Sequence, residues 1–219
     1  MIIFGTSMFS KLMKWYIEND TSEKAEAFTV EKKYISEEEF CGVRVIPFEE
    51  LENTFDKDRI SILNTCGYHN MNDVRKKVFE MCKDKGYHIH DYIHSSAILN
   101  GVKTGEGTII LEKVLFEPFV EIGSGNIFAP DSLAGHDSII GDFNYFSSGV
   151  RICGSCRIGN QNFFGTNAVL KDHLCLGSYN LVGAGTYLNV DLEEYMVTSP
   201  VPCRIKKFSK ENLDRLINR

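Results

Sequence analysis

The sequence predicts an α/β domain with a small Rossmann-like parallel sheet followed by a parallel β-helix, and three observations carry that prediction. Stepping six residues at a time from Ile110, the chain reads Ile110, Phe116, Ile122, Phe128, Ala134, Ile140, Phe146, Ile152, Ile158, Phe164, Leu170, Leu176, Val182, Leu188, with no polar member. Glycine directly follows that series at Gly123, Gly135, Gly141, Gly159, Gly165, Gly177 and Gly183. Ahead of the repeat, short apolar runs alternate with amphipathic stretches. A period of six is neither the helical period of about 3.6 nor the strand period of about 2. It marks the stacked coils of a parallel β-helix, whereas alternating strands and helices mark a parallel sheet with flanking helices.

In chain order, Ile2-Ile3-Phe4 reads as a buried first strand, followed by Gly5-Thr6-Ser7 and an amphipathic helix from Met8 to Glu18. Ala27-Phe28-Thr29-Val30 is a second strand, Val45-Ile46-Pro47-Phe48 leads into a short helix through Glu50, and Ile60 to Asn64 is a third apolar run. A helix over 72–85 places Val74, Val78, Met81 and Cys82 on one face, and Tyr87 to Ile93 is strand-like. The first domain is thus set at 1–90, the β-helix at 91–205, and a C-terminal helix and tail at 206–219. Three hexads close one triangular coil of 18 residues, with the apolar positions inside and glycine relieving crowding where the backbone turns. Ile98 fits the series and Thr104 does not, so the first coil reads as a cap. Ser199-Pro200-Val201-Pro202 ends the regular coils, because proline cannot donate to a ladder.

The formal net charge of −6 argues against a broad nucleic-acid footprint, which needs a basic face. No stretch is apolar enough for a membrane span, and seven scattered cysteines suit reduced thiols in a cytoplasmic setting. Cys153-Gly154-Ser155-Cys156 has no second CxxC to complete a zinc site, so packing is its expected role and no metal site is predicted. His88 and His90 share a strand face without a third ligand.

Hexad arithmetic converts positions into neighbours. His136 is the third residue of the hexad opened by Ala134, and Gly154 the third of the hexad opened by Ile152, one coil on. An imidazole with an ordinary pKa of about 6.5 can accept a proton near neutrality. A glycine exposes a backbone N–H that can stabilise an oxyanion. A base beside such a donor is what direct acyl transfer from a thioester requires. The residue types alone leave two readings, a catalytic base or one polar turn residue among many. Asp137 is a candidate to orient the imidazole.

The run Gly135-His136-Asp137-Ser138-Ile139-Ile140-Gly141-Asp142, with the His94-Ser95-Ser96-Ala97 junction, resembles bacterial nucleotide-aminosugar N-acetyltransferases of the left-handed β-helix superfamily, and their sialic-acid O-acetyltransferase relatives. That resemblance covers nearly the whole chain. It implies acetyl-CoA as co-substrate, a UDP- or dTDP-linked amino sugar as acceptor, and a homotrimer with active sites between subunits. His136 would be the general base and Gly154 the donor to the thioester carbonyl. Gly183 and Ala184 would run along the pantetheine arm, and Pro202, Arg204 and Lys206 would lie near the nucleotide end of the coenzyme. Tyr145 stands where the family often has histidine, in contact with the acetyl donor. Gly5 and Ser7 at the first helix N-terminus, with Tyr68, His69 and Asn70 after the third strand, would hold the nucleotide sugar. O-acetylation of a sugar hydroxyl and a non-catalytic scaffold are the alternatives. A γ-carbonic-anhydrase-type hydratase would need three histidines at a zinc, and only His136 and His173 lie in the regular coils.

Overall fold

The computed structural model describes residues 1–200. The α/β domain comprises β1 (Ile2–Phe4), α1 (Met8–Asp20), β2 (Ala27–Val30), β3 (Glu39–Phe40), β4 (Val43–Pro47), β5 (Ser61–Asn64), α2 (Asp73–Asp84) and β6 (His88–Ile89). Its sheet order is β3-β4-β2-β1-β5-β6. The pairings are parallel except for the β3–β4 hairpin at one edge. Sequence periodicity did not expose that hairpin, whose two-residue turn places Cys41 at φ 52° and Gly42 at φ 73°. The segment expected to lead into a short helix is β4 followed by a 3₁₀ helix over Phe48–Asn53. Ser7 caps α1, accepting from Ser10 N–H at 3.2 Å. The single strand expected over 87–93 divides: His88–Ile89 closes the α/β sheet, and Tyr92–Ile93 opens the β-helix.

The β-helix is a three-faced prism. Its first face carries the pairs at Ile109, Ile127, Tyr145, Phe163 and Leu181, its second those at Leu115, Leu133, Arg151, Val169 and Tyr187, and its third those at Glu121, Ile139, Arg157 and Cys175. From Ile109 to Leu188 strand partners lie 18 residues apart, as in Ala134 with Ile152 and Phe146 with Phe164, whereas the first coil pairs at 17 (Tyr92 with Ile109) and the last at 16 (Leu181 with Val197). The expected register therefore holds without slippage over that span. Phe128, Phe146 and Phe164 stack down the interior with centroids 4.4 and 4.8 Å apart.

A polar column runs inside as well. Asn126, Asn144, Asn162 and Asn180 are fully buried, and each Oδ1 accepts from a backbone N–H one coil on, at 2.7–2.8 Å. This ladder satisfies N–H groups at a corner where the strand pairing lapses. Asn144→Ala leaves the Asn162 N–H without its acceptor and is expected to cost about 2 kcal/mol, a fall in Tm of about 4–8 °C measured by calorimetry.

The corners turn at left-handed residues spaced by six, among them Phe119 (φ 68°), Asp137 (φ 57°) and Ser155 (φ 60°). The glycines after the apolar positions sit two residues earlier and serve another purpose. A Cβ on Gly135 would lie 2.6 Å from the Gly154 nitrogen, so these glycines permit coil-to-coil approach. The capping coil departs from expectation: Ile98 pairs with Leu115, 17 residues on, and is 56% exposed, while Ala97, Leu99 and Val102 pack against the core instead. Cys156 is buried in the prism core, as its packing role required.

The two domains share a core. Ile109, Leu111 and Ile127 of the first prism face pack with Ile3, Met13, Ile17, Phe28 and Leu63. On α2 the buried face is Arg75, Val78 and Cys82, not the expected set beginning at Val74, which is 36% exposed. Arg75 donates from Nε to Gly125 O and from Nη1 to Gly67 O, each at 2.8 Å, and from Nη2 to Phe143 O at 2.8 Å and Asn144 O at 3.1 Å. Burial lowers its pKa to about 10, so it remains a cation at neutral pH.

Candidate functional site

His136 stands at the corner between the second and third prism faces, one residue before the left-handed turn at Asp137. That turn swings the Asp137 side chain back onto the ring, with Oδ2 2.8 Å from Nδ1. An extended residue there would have pointed elsewhere, which is why the sequence left Asp137 open. The hydrogen bond to Asp137 is the largest influence and raises the imidazole pKa above its ordinary value; desolvation opposes it, and the carboxylate charges of Asp137 and Glu117 add to the rise. Glu117 Oε2 also accepts from the His136 backbone N–H at 2.8 Å. Glu117 went unnoticed in the sequence, although it lies one coil before Gly135 and was within reach of the same arithmetic.

Nε2 is left as the outward nitrogen. It faces Gly154: a Cβ on that glycine would lie 2.7 Å from Nε2. Backbone bonds Ser155 N–H to His136 O (2.7 Å) and His173 N–H to Gly154 O (3.0 Å) fix the strand path on both sides. Among the described residues the Gly154 N–H has no intramolecular acceptor. The corner thus joins a basic nitrogen, its orienting carboxylate and an unengaged amide donor.

A second region forms at the carboxyl edge of the α/β sheet, where open sheets of this kind bind ligands. Gly5, Ser7, Met8, Thr65, Cys66, Gly67, Tyr68, His69 and Tyr145 line a cleft of about 380 Å³. Tyr68 packs edge-on to Tyr145 at 5.1 Å and tilted against Phe163 at 5.0 Å. Burial pushes the Cys66 thiol up to about 12, so it is no thiolate nucleophile at neutral pH. Tyr68 and Tyr145 also border a trough of about 470 Å³ that crosses the first face through Ser147, Ser148, Gly165 and Thr166 to Gly183 and Ala184.

Of the predicted residues, His136, Asp137 and Gly154 thus gather at one corner, Gly5, Ser7, Tyr68, His69 and Tyr145 line the cleft, and Gly183 and Ala184 end the trough. Asn70 does not join them: it is exposed in a run of three left-handed residues (Asn70, Met71, Asn72) that turns the chain into α2. Pro202, Arg204, Lys206 and the predicted C-terminal helix lie outside the described residues. No group of three or more His, Cys, Asp or Glu side chains suited to a metal ion occurs among the described residues. The cleft lies on the first face and His136 on the opposite edge of the same prism, so one chain does not bring the two regions together.

No family model matches the chain. Its fold is that of several solved proteins. The acetyltransferase domain of PglB from Neisseria gonorrhoeae, also solved with acetyl coenzyme A, superposes with a TM-score of 0.80 at 22% identity, over 90% of this chain and 94% of that one. PerB from Caulobacter crescentus, in complex with CoA and GDP-perosamine, gives 0.80 at 22% identity over 94% and 96%. WeeI from Acinetobacter baumannii gives 0.77 at 21% identity over 94% and 98%. The likeness spans both domains, so the sequence-based expectation of a Rossmann-like domain joined to a left-handed β-helix holds.

Proposed function

We propose that this chain, which has the two-domain fold of these sugar acetyltransferases, is an acetyl-CoA-dependent N-acetyltransferase acting on a nucleotide-linked amino sugar. The observation that carries the reading is the His136 corner, where a carboxylate-fixed imidazole faces a backbone N–H that no acceptor among the described residues engages. His136 Nε2 takes the proton of the sugar amine as its nitrogen attacks the thioester carbonyl. Gly154 N–H donates to the oxygen on which negative charge develops; the tetrahedral intermediate then collapses with cleavage of the C–S bond, and the departing CoA sulfur takes the proton from the His136 imidazolium. Asp137 holds the tautomer with Nε2 unprotonated and stabilises the imidazolium that forms. The transfer is direct, since among the described residues no cysteine or serine side chain is hydrogen-bonded to the His136 ring, whose one side-chain partner is Asp137, and the Cys66 thiol is held neutral.

The cleft beside Gly5, Ser7, Tyr68 and His69 takes the nucleotide, and the trough ending at Gly183 and Ala184 is shaped for a long, narrow pantetheine arm. Glycine and small polar walls admit such an arm closely, and Arg204 and Lys206 would meet its phosphates. Because cleft and base lie on opposite sides of one prism, the enzyme acts as a homotrimer in which the cleft of one subunit meets the His136 corner of the next. No helix among the described residues is long and apolar enough to cross a membrane, and the cytoplasm, where acetyl-CoA and nucleotide sugars occur, is the proposed setting.

The direct test is release of free CoA on mixing the protein with acetyl-CoA and UDP-, dTDP- or GDP-linked 4-amino or 3-amino sugars, with free sialic acid as the hydroxyl acceptor. Turnover of sialic acid alone overturns the amine assignment. The pH profile is a second test. The base works only when unprotonated, so kcat/KM falls as pH drops through the raised pKa of His136, above its ordinary value of about 6.5. Asp137→Asn removes the main cause of that shift and is expected to move the acid limb to lower pH while lowering kcat; an unmoved limb removes Asp137 from the mechanism.

A further inference from the structure

Phe119, Phe143, Tyr179 and Tyr195 are aromatic residues with left-handed backbone on the prism, and the last three each have an aromatic partner. Phe143 packs on Phe79 of α2 at 5.3 Å, and Tyr179 stacks on Tyr195 at 5.2 Å. Phe119 is 78% exposed at φ 68°, a conformation that a bulky side chain adopts at a cost. It stands one coil before Asp137, on the edge that bears the proposed base. A second uncovered apolar feature lies on α1, where Met8 (77%), Leu12 (42%) and Trp15 (58%) form an exposed stripe at helical spacing.

The heights of these two features can be compared. Tyr16 Oη donates to Glu112, and one turn later Asp20 accepts from Ser95 N–H at 2.9 Å. Ser95 and Glu112 hold equivalent places one coil apart, since Tyr92 pairs with Ile109, 17 residues on. One turn of α1, about 5.4 Å, therefore descends one coil, about 4.8 Å, along the corner between the first and second faces. Trp15 then sits just above Glu112, and Leu12 about one coil higher, level with Pro130. Phe119, seven residues past Glu112 in the rising coil, falls between them. A rotation axis parallel to the prism preserves height in every subunit.

We propose that the α1 stripe of each subunit receives the Phe119 corner of the next, so that Phe119 packs against Trp15 and Leu12 and carries the His136 edge into the cleft that Met8 lines. The occupant is a second copy of this chain. This inference rests on the trimeric reading above and adds the contact that assembles its site. Docking between Trp15 and Phe119 buries two aromatic side chains, the kind of anchor that dominates interface energy.

Trp15 is the single tryptophan of the sequence and reports on the contact directly. Mass by light scattering and tryptophan emission are followed together on dilution of the intact protein. Assembly is expected to shift emission to shorter wavelength, and Phe119→Ala to raise the half-assembly concentration about tenfold or more while leaving emission at longer wavelength. Because Trp15→Ala deletes the same contact, the double variant is expected to assemble no worse than the weaker single one. A monomeric mass at every concentration, emission that ignores assembly, or additive effects of the two substitutions would each overturn the contact. An assembled protein with Trp15 covered but no acetyl transfer sinks the functional reading and leaves the docking intact. An active protein with Trp15 solvated does the reverse.

Discussion

Replacing His136 by alanine is expected to lower kcat for acetyl transfer by about 10²–10⁴, the usual contribution of a positioned general base, with the affinity for acetyl-CoA nearly unchanged. The split follows from the geometry. The imidazole projects from a corner, is held by its neighbour Asp137, and supports no buried packing, its side chain being 59% exposed. Its removal takes away the proton acceptor and little else, so Tm should stay within about 1–2 °C of the parent. Gly154→Ala is the companion variant. It keeps the N–H donor but places a methyl group 2.7 Å from Nε2, so the ring must move, and a comparable fall in kcat is expected without loss of coenzyme affinity. Turnover is read from thiol release and affinity from calorimetric titration of CoA. A loss of only a fewfold in His136→Ala, with CoA still bound, takes the histidine out of the chemistry.

Much of this site was legible in the sequence because one rule, residues 18 apart stack, places His136 against Gly154 without any knowledge of side-chain conformation. The same rule reaches no further than the backbone. Asp137 was ambiguous because its role depends on a positive φ at the corner, and the hexad spacing does not reveal which of its six positions turns left-handed. Ile98 fitted the apolar series but the capping coil is one residue shorter than the regular 18-residue coils, so the chain slips there and that side chain faces out. Arg75 was passed over for a physical reason as well: on a helix rich in lysine, a cation next to Val74 reads as solvated, and nothing local signals four carbonyls from other segments waiting to receive it. The α/β strands emerged where apolar runs were continuous, and the Glu39–Arg44 hairpin did not, because its half-exposed residues carry no apolar run.

Arg75→Met is expected to be the most destabilising single substitution outside the apolar cores, at about 3 kcal/mol or more, a fall in Tm of about 6–12 °C. The guanidinium ties the Gly67 turn to the prism carbonyls of Gly125, Phe143 and Asn144; methionine fills similar space but takes the donor from the carbonyls of Gly67, Gly125 and Phe143, while Asn144 O keeps the Ile127 N–H at 3.0 Å. Part of the loss is returned, because the buried cation has no carboxylate among its hydrogen-bond partners and its desolvation is itself unfavourable, as the fall of its pKa to about 10 indicates. Three orphaned carbonyls outweigh that return. Arg75→Lys retains the charge but replaces a planar fork of five donors by a compact ammonium, which cannot span three segments, so it is expected to recover less than half of the loss. The effect should reach the cleft too: Gly67 precedes Tyr68, and the Arg75 guanidinium lies 6.0 Å from the Tyr145 ring. A loosened Gly67–Tyr68 turn should raise KM for the nucleotide sugar several-fold while KM for acetyl-CoA changes little. Thermal melts of the three proteins, with the two KM values, decide the matter. Equal Tm in Arg75→Met and the parent would mean that water takes over the carbonyls and that the two domains are held together by the apolar core around Ile109 and Ile127 alone.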